Sequence, residues 1–204
     1  CACTRRELEG APLTPTGERL YPGTCRAGIP PGRASRAQRS LRMRVGEAEV
    51  AFRDRLQGEQ RQALARDTGD FVVRRADGVA AYQLAVVVDD GAQGVTHVVR
   101  GADLLASTPR QIHVQRALGI ETPSYLHVPV AIDASGEKLS KQTKARALPD
   151  DPLPALVDAW RFLDQAPIAP RTVGEFWAQA IGAWSPSRLP PVRMLPAPRS
   201  ATRI

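Results

Sequence analysis

Leu41-Arg-Met-Arg-Val45 alternates apolar and basic residues, the period-2 pattern of a half-exposed strand. A second strand is predicted at Phe71-Val-Val-Arg-Arg75, closed by an Asp77-Gly78 turn. Between them, Glu59 to Arg66 reads as a short helix with Leu64 facing inward. Leu84 to Val88 is a continuous apolar run, which fits a buried strand or a buried helix equally by period; its β-branched content favours a strand. Val95 to Val99 reads as a buried strand. Thr108-Pro109 opens a helix that ends near Gly119, with Pro109 where a missing N–H costs least. Tyr125 to Ile132 is a further strand, feeding a turn at Asp133-Ala-Ser-Gly136.

The chain then turns helical. Asp151-Pro152 starts a helix with Leu156, Trp160 and Leu163 on one face. Thr172-Val-Gly-Glu175 matches a capping box, followed by Phe176, Trp177, Ala180, Ile181 and Trp184 at helical spacing, so these tryptophans are expected in the core. Neither end of the chain has such a pattern. The first forty residues are rich in Pro, Gly and Arg and read as a loop-built unit that needs a staple. From Pro186 onward Pro and Arg dominate, and the segment is expected to be loosely attached or disordered.

Composition changes this picture little. A chain of 204 residues, 43% apolar, holds one sizeable core or two modest units. Aromatics at 5% leave that core to Leu, Val, Ile and Ala. The net charge of +7 favours polyanionic partners and says nothing about fold. No apolar run approaches the ~20 residues that span a bilayer, so no membrane partner is expected.

All three cysteines lie within the first 25 residues, in the pattern Cys1-Ala-Cys3 and Tyr21-Pro-Gly-Thr-Cys25. An odd, clustered set suits a reducing, cytoplasmic setting and a metal better than disulfides. Three thiols supply three ligands of a tetrahedral Zn²⁺ site. None of the histidines (His97, His113, His127) lies nearby, and Tyr21 is the candidate fourth ligand. A phenol ionises ordinarily near ~10, so a cation must depress it for phenolate ligation. The alternative is three free buried thiols.

Glu137-Lys138-Leu139-Ser140-Lys141-Gln142 puts two cations around a serine just after the Gly136 turn. That chemistry suits a loop clamping polyphosphate. Tyr82-Gln-Leu-Ala and Thr96-His-Val-Val-Arg100-Gly-Ala-Asp place a phenol and a guanidinium at the two ends of an apolar segment, suited to gripping a carboxylate. Taken singly, these residues read as a solvated loop, a core tyrosine and a strand-end arginine paired with Asp103.

In this order the two stretches resemble the class I glutamyl-tRNA synthetases, and the loop looks like a variant of their Lys-Met-Ser-Lys-Ser signature. The cysteine and tyrosine pattern is similar to the zinc site of the glutamyl-queuosine tRNA(Asp) synthetases, truncated relatives of that family. The family's N-terminal nucleotide-binding motif is absent and the chain opens at Cys1, so it reads as N-terminally incomplete. Only 62 residues follow Gln142, enough for a small helical cap.

The resemblance implies an α/β fold: the C-terminal half of a class I Rossmann-like catalytic fold, with a zinc-stapled insertion and a small helical region. It favours a helix at Leu84–Val88. It implies a division into residues 1–80 (zinc-binding, acceptor-binding-like insertion), 81–145 (second half of the catalytic domain), 146–185 (helical cap) and 186–204 (tail). It implies activation of glutamate with ATP and Mg²⁺ and its transfer to queuosine of tRNA(Asp), by a monomer. Tyr82 and Arg100 then match glutamate-binding residues, with the α- or side-chain carboxylate as Arg100's target left open. Lys141 and Lys138 match catalytic lysines, residues 138–142 the ATP loop, and Cys1, Cys3, Tyr21 and Cys25 the zinc ligands. Two other readings remain: a fragment of a conventional glutamyl-tRNA synthetase, and a non-catalytic zinc-stapled RNA-binding module.

Overall fold

The alternating segment at Leu41 does form a strand, and its partner is the second predicted one. A computed structural model describes residues 1–15, 17–139 and 149–198. A single helical turn, α1 (Arg5–Leu8), precedes a 3₁₀ turn at Pro31–Arg33 and then β1 (Leu41–Met43). A strand, β3 (Gly58–Ala63), then replaces most of the helix expected over Glu59 to Arg66. It pairs as a hairpin with β2 (Glu49–Asp54), and only α2 (Leu64–Asp67) is helical there. Leu64 is fully buried, as expected. The helix fails because pairing with β2, whose Val50 is buried, holds the polar β3 extended; tertiary contacts override weak local propensity.

β4 (Phe71–Arg74) runs antiparallel to β1, with Arg42 opposite Val72 and Met43 opposite Phe71. α3 (Tyr82–Ala92) covers the ambiguous apolar run, which is a helix. β5 (His97–Gly101) begins and ends two residues later than the predicted strand, and it is not buried: Val99 is 61% exposed. α4 (Thr108–Leu118) carries Pro109 in its first turn. The strand predicted over Tyr125 to Ile132 is two, β6 (Ser124–Val128) and β7 (Val130–Ile132). Pro129 stands between them and has no N–H for a ladder. α5 (Leu153–Phe162) and α6 (Val173–Ala183) follow. The strands form four two-stranded pairs among the described residues, β1 with β4, β2 with β3, β5 with β6, and β7 with β8 (Met194–Pro196).

The described chain divides into two compact units. The first takes in Cys1–Arg53, Glu59–Val98 and Ala106–Tyr125. Its core joins Val45, Val50, Leu64, Phe71, Val73, Val87, Ile112, Val114 and Tyr125, so β2, α2, β4, α3, α4 and the start of β6 share one apolar interior, with Met43 of β1 packed against it. The second takes in Asp54–Gly58, Val99–Leu105 and the chain from Leu126 onward. There Trp160, Phe176 and Ala180 pack α5 on α6, with the Trp160 and Phe176 rings edge to face at 6.1 Å. Thr172 Oγ1 accepts from the Glu175 N–H, while the Glu175 carboxylate accepts from Arg171 rather than Thr172.

Two expectations fail in this unit. Trp160 is buried, but Trp177 and Trp184 are 51% and 40% exposed and stand outside the core. The segment after Pro186 is ordered through residue 198: Leu189 is buried, and β8 lies parallel to β7 with Val130 opposite Met194 and Ile132 opposite Pro196. Backbone pairing, which needs no apolar composition, recruits it.

Candidate functional site

Three features carry chemistry, and the first is the thiol cluster of the first unit. The Sγ atoms of Cys1, Cys3 and Cys25 lie within 4.8 Å of one another, with Cys3 and Cys25 3.8 Å apart. Ligands of a tetrahedral Zn²⁺ with bonds of ~2.3 Å stand ~3.8 Å apart, so the donor set fits. The Tyr21 hydroxyl sits 3.4 Å from Cys1 Sγ and accepts the Cys25 N–H at 2.7 Å. The spacing noted in the sequence thus brings all four side chains together.

Local structure explains how a coreless segment does this. Thr4 and Glu7 form a full capping box at the start of α1, anchoring the chain just after Cys3. Glu7 also pairs with Arg33 and Arg36, and these contacts, Arg36 first, hold its carboxyl far below the usual range. Thr4-x-x-Glu7 is legible in the sequence as a capping signature. At Gly69, φ is +67°, and a Cβ there would come 2.6 Å from Leu20 Cδ1; the absence of a side chain lets the Tyr21 loop approach. The Arg42 guanidinium lies 4.1 Å from the Tyr21 ring centroid.

The electrostatics are asymmetric. Burial acts to raise the Cys25 thiol, but the Ala2 N–H, Cys3 and Tyr21 outweigh it, and its pKa is lowered. Burial, with Cys25 beside it, raises Cys3. Burial likewise raises Tyr21, with neighbouring thiolate charge adding to the effect. Cys25 is therefore favoured as a thiolate over Cys3, and burial leaves the Tyr21 phenol in need of a cation.

The second feature lies in the second unit, at the end of β5. Arg100 Nε donates to His127 Nε2 at 3.0 Å, and His127 Nδ1 lies 2.6 Å from Asp54 Oδ2. Asp54 and His127 side chains are both fully buried. Asp54 Oδ1 also accepts the N–H groups of Leu56, Gln57 and His127. A guanidinium is an obligate donor, so the imidazole accepts at Nε2 and carries its proton on Nδ1. Burial drives the His127 pKa below its ordinary 6.5, outweighing Asp54. Burial would raise Asp54, but the Gln57 N–H, the imidazole and two further N–H groups hold it down. The pair is a neutral histidine against a carboxylate. Sequence reading used His127 only to exclude it from the metal. Asp54 accepts Asx-type bonds from Leu56 and Gln57 at the head of a turn that the sequence does not single out.

Tyr82 opens α3 in the first unit and is half exposed. It and Arg100 belong to different units, each described by itself.

The third feature is the base of the lysine loop. Asp133 closes the turn by accepting from Ser135 Oγ, Ser135 N and Glu137 N, and these bonds, the hydroxyl's first, lower its pKa. Leu139 N donates to Ala131 O at 3.0 Å, and Ile132 bridges Lys138. β8 supports the same root, with Ala197 N donating to Ile132 O. Lys138 Nζ lies 2.5 Å from Asp103 Oδ2, so Asp103 serves the loop lysine. A Cβ at Gly101 would come 2.5 Å from Asp103 Oδ1, so a side chain there would displace the Asp103 carboxylate. Ser140, Lys141 and Gln142 lie outside the described residues.

The sequence profile of the tRNA synthetases class I (E and Q), catalytic domain, matches residues 24–165. The chain is 53% identical over 191 residues to the glutamyl-Q tRNA(Asp) synthetase of Aromatoleum aromaticum, covering 91% of this chain and 59% of that protein. It is 56% identical over 194 residues to the same-named protein of Burkholderia cenocepacia, covering 91% and 64%. The chain thus spans about three-fifths of the length of these curated relatives. Among solved structures, a glutamate tRNA ligase from Elizabethkingia meningosepticum, in complex with its amino acid, superposes with a TM-score of 0.54 at 21% identity. That match covers 69% of this chain and 31% of the other, and shows a shared fold. The chain belongs to the class I tRNA synthetases of the E and Q group, within their catalytic domain.

Proposed function

We propose that the chain carries the glutamate-gripping, phosphate-clamping and metal-holding parts of an enzyme that activates glutamate with ATP and transfers it to queuosine of tRNA(Asp). The observation that carries this reading is identity above half, across nine-tenths of the chain, to proteins named for that activity. The positive net charge and the fourfold donor cluster support it.

Activation is attack of the glutamate carboxylate on the α-phosphate of ATP, with pyrophosphate leaving. Catalysis there is charge neutralisation and positioning. Arg100 and Tyr82 are the glutamate-binding residues of the proposal. Lys138, Leu139, Ser140, Lys141 and Gln142 form the ATP loop. Lys141 meets charge that grows on the leaving pyrophosphate, which stabilises the transition state selectively. Lys138, held by Asp103, assists from the fixed end of the loop. Mg²⁺ accompanies ATP.

Cys1, Cys3, Tyr21 and Cys25 would hold one structural Zn²⁺ with no open position, stapling the loop-built segment within residues 1–80. Residues 81–145 supply the catalytic half, 146–185 a helical cap and 186–204 a tail whose strand braces the loop root. The partners are ATP, glutamate and tRNA(Asp), and the proposed state is a cytoplasmic monomer.

Glutamate-dependent exchange of labelled pyrophosphate into ATP by the full-length protein tests the catalytic part. Exchange that requires glutamate is the expected result. No exchange with any amino acid would leave a zinc-stapled RNA-binding module as the better description.

A further inference from the structure

Arg42 is built against the thiol cluster of the first unit. It belongs to the basic side of β1, which the strand's alternation turns toward solvent, yet its Nε is buried with no acceptor among the described residues. Nη1 donates to Asp70 O at 2.8 Å. The Asp70 carboxylate is engaged elsewhere, by Arg26 Nε at 3.2 Å and by the Val45 N–H at 3.1 Å. The Arg42 guanidinium stacks instead on Tyr21, 4.1 Å from the ring centroid. Burial acts to lower the Arg42 pKa, and the charges opposing it come first from Tyr21, then from Cys3, Asp70 and Cys25. A buried cation is costly unless negative charge faces it. Thiolates and a phenolate about one dication would be net negative, and Tyr21 is the ligand that Arg42 touches. Pairing with β4 fixes β1, with Arg42 opposite Val72, whereas Tyr21 lies outside any helix or strand. A residue held by a sheet thus lies against the ligand that is not a thiol.

We propose that Arg42 is a positioning residue of the metal site, acting through Tyr21: stacked on the ring, its guanidinium aims the phenol oxygen at the ion and opposes the charge of that oxygen when it ligates. The proposal rests on the reading of Cys1, Cys3, Tyr21 and Cys25 as zinc ligands. The Tyr21 hydroxyl already stands 3.4 Å from Cys1 Sγ under this stack.

A double-mutant cycle of Arg42→Met and Tyr21→Phe tests it, read as the zinc affinity of the full-length protein in competition with a chromophoric chelator. Arg42→Met keeps the length of the side chain and removes its charge and flat face. It should weaken zinc binding about tenfold, the lower end of what losing the support of a metal ligand costs. Tyr21→Phe should weaken binding as well. In the Tyr21→Phe background, Arg42→Met should cost no more than about twofold, because the oxygen it aims is gone and the two losses do not add.

Unchanged zinc affinity in Arg42→Met, or an equal loss in both backgrounds, overturns the inference and leaves the zinc site standing. If the unaltered protein binds no zinc, or Tyr21→Phe binds it as tightly as the unaltered protein, the reading of the ligands itself falls, and this inference with it. Should Arg42→Met fail to fold, Arg42→Gln decides in its place. It keeps a donor for Asp70 O, removes the charge, and carries the same expected loss, the same dependence on Tyr21 and the same overturning results.

Discussion

Cys25→Ser is expected to abolish zinc retention, taking the metal content of the full-length protein from about one per chain to near zero. A structural Zn²⁺ site supplies on the order of 10 kcal/mol of coupled folding free energy. The segment that holds this one has no extensive core of its own. Among the described residues of its first forty, Ala2 and Ala11 are the buried apolar ones. Cys25 is the ligand to remove because its neighbours lower its thiol pKa, whereas burial raises that of Cys3. Tyr21→Phe should weaken retention much less, since burial and nearby thiols raise the phenol and make it the poorest donor. Metal analysis after purification without chelator measures both. Zinc retained by Cys25→Ser, or absent from the unaltered protein, would contradict the assignment.

The second large effect is expected at Arg100. Arg100→Ala should lower kcat/KM for glutamate by roughly 30-fold to several thousandfold, the equivalent of about 2–5 kcal/mol for a charge left without its partner. ATP binding should change little, because the contact proposed for Arg100 is to the amino acid and not to ATP. Steady-state exchange kinetics with each substrate varied in turn separates the two. An unaltered glutamate dependence would make Arg100 a structural partner of His127 and nothing more.

How much of this was legible in the sequence differs from element to element. The cysteine cluster was legible because residue type and spacing together match a metal-ligand pattern, and the four side chains do converge. The helix over Leu84–Val88 was not legible from period, which left strand and helix equal; only the resemblance favoured it. The β2–β3 hairpin was missed because β3 is a polar strand, Gly58-Glu-Gln-Arg-Gln-Ala63, with no alternation to announce it. Its extended form is imposed by the partner strand. The ordered tail was missed for a related reason, since β8 is recruited by backbone bonds to β7. Asp54 and His127 stand 73 residues apart, and nothing local in either segment signals that they meet. Asp103 pairs with Lys138 across 35 residues, a contact nothing local in the sequence announces.

The central claim concerns the acceptor of the activated amino acid. The direct measurement is transfer of labelled glutamate by the full-length protein, with ATP, to three purified tRNAs. These are tRNA(Asp) bearing queuosine, tRNA(Asp) with unmodified guanosine at the same position, and tRNA(Glu). The account predicts label on the first alone. Label on tRNA(Glu), with queuosine making no difference to tRNA(Asp), would contradict it and identify a conventional glutamyl-tRNA synthetase instead.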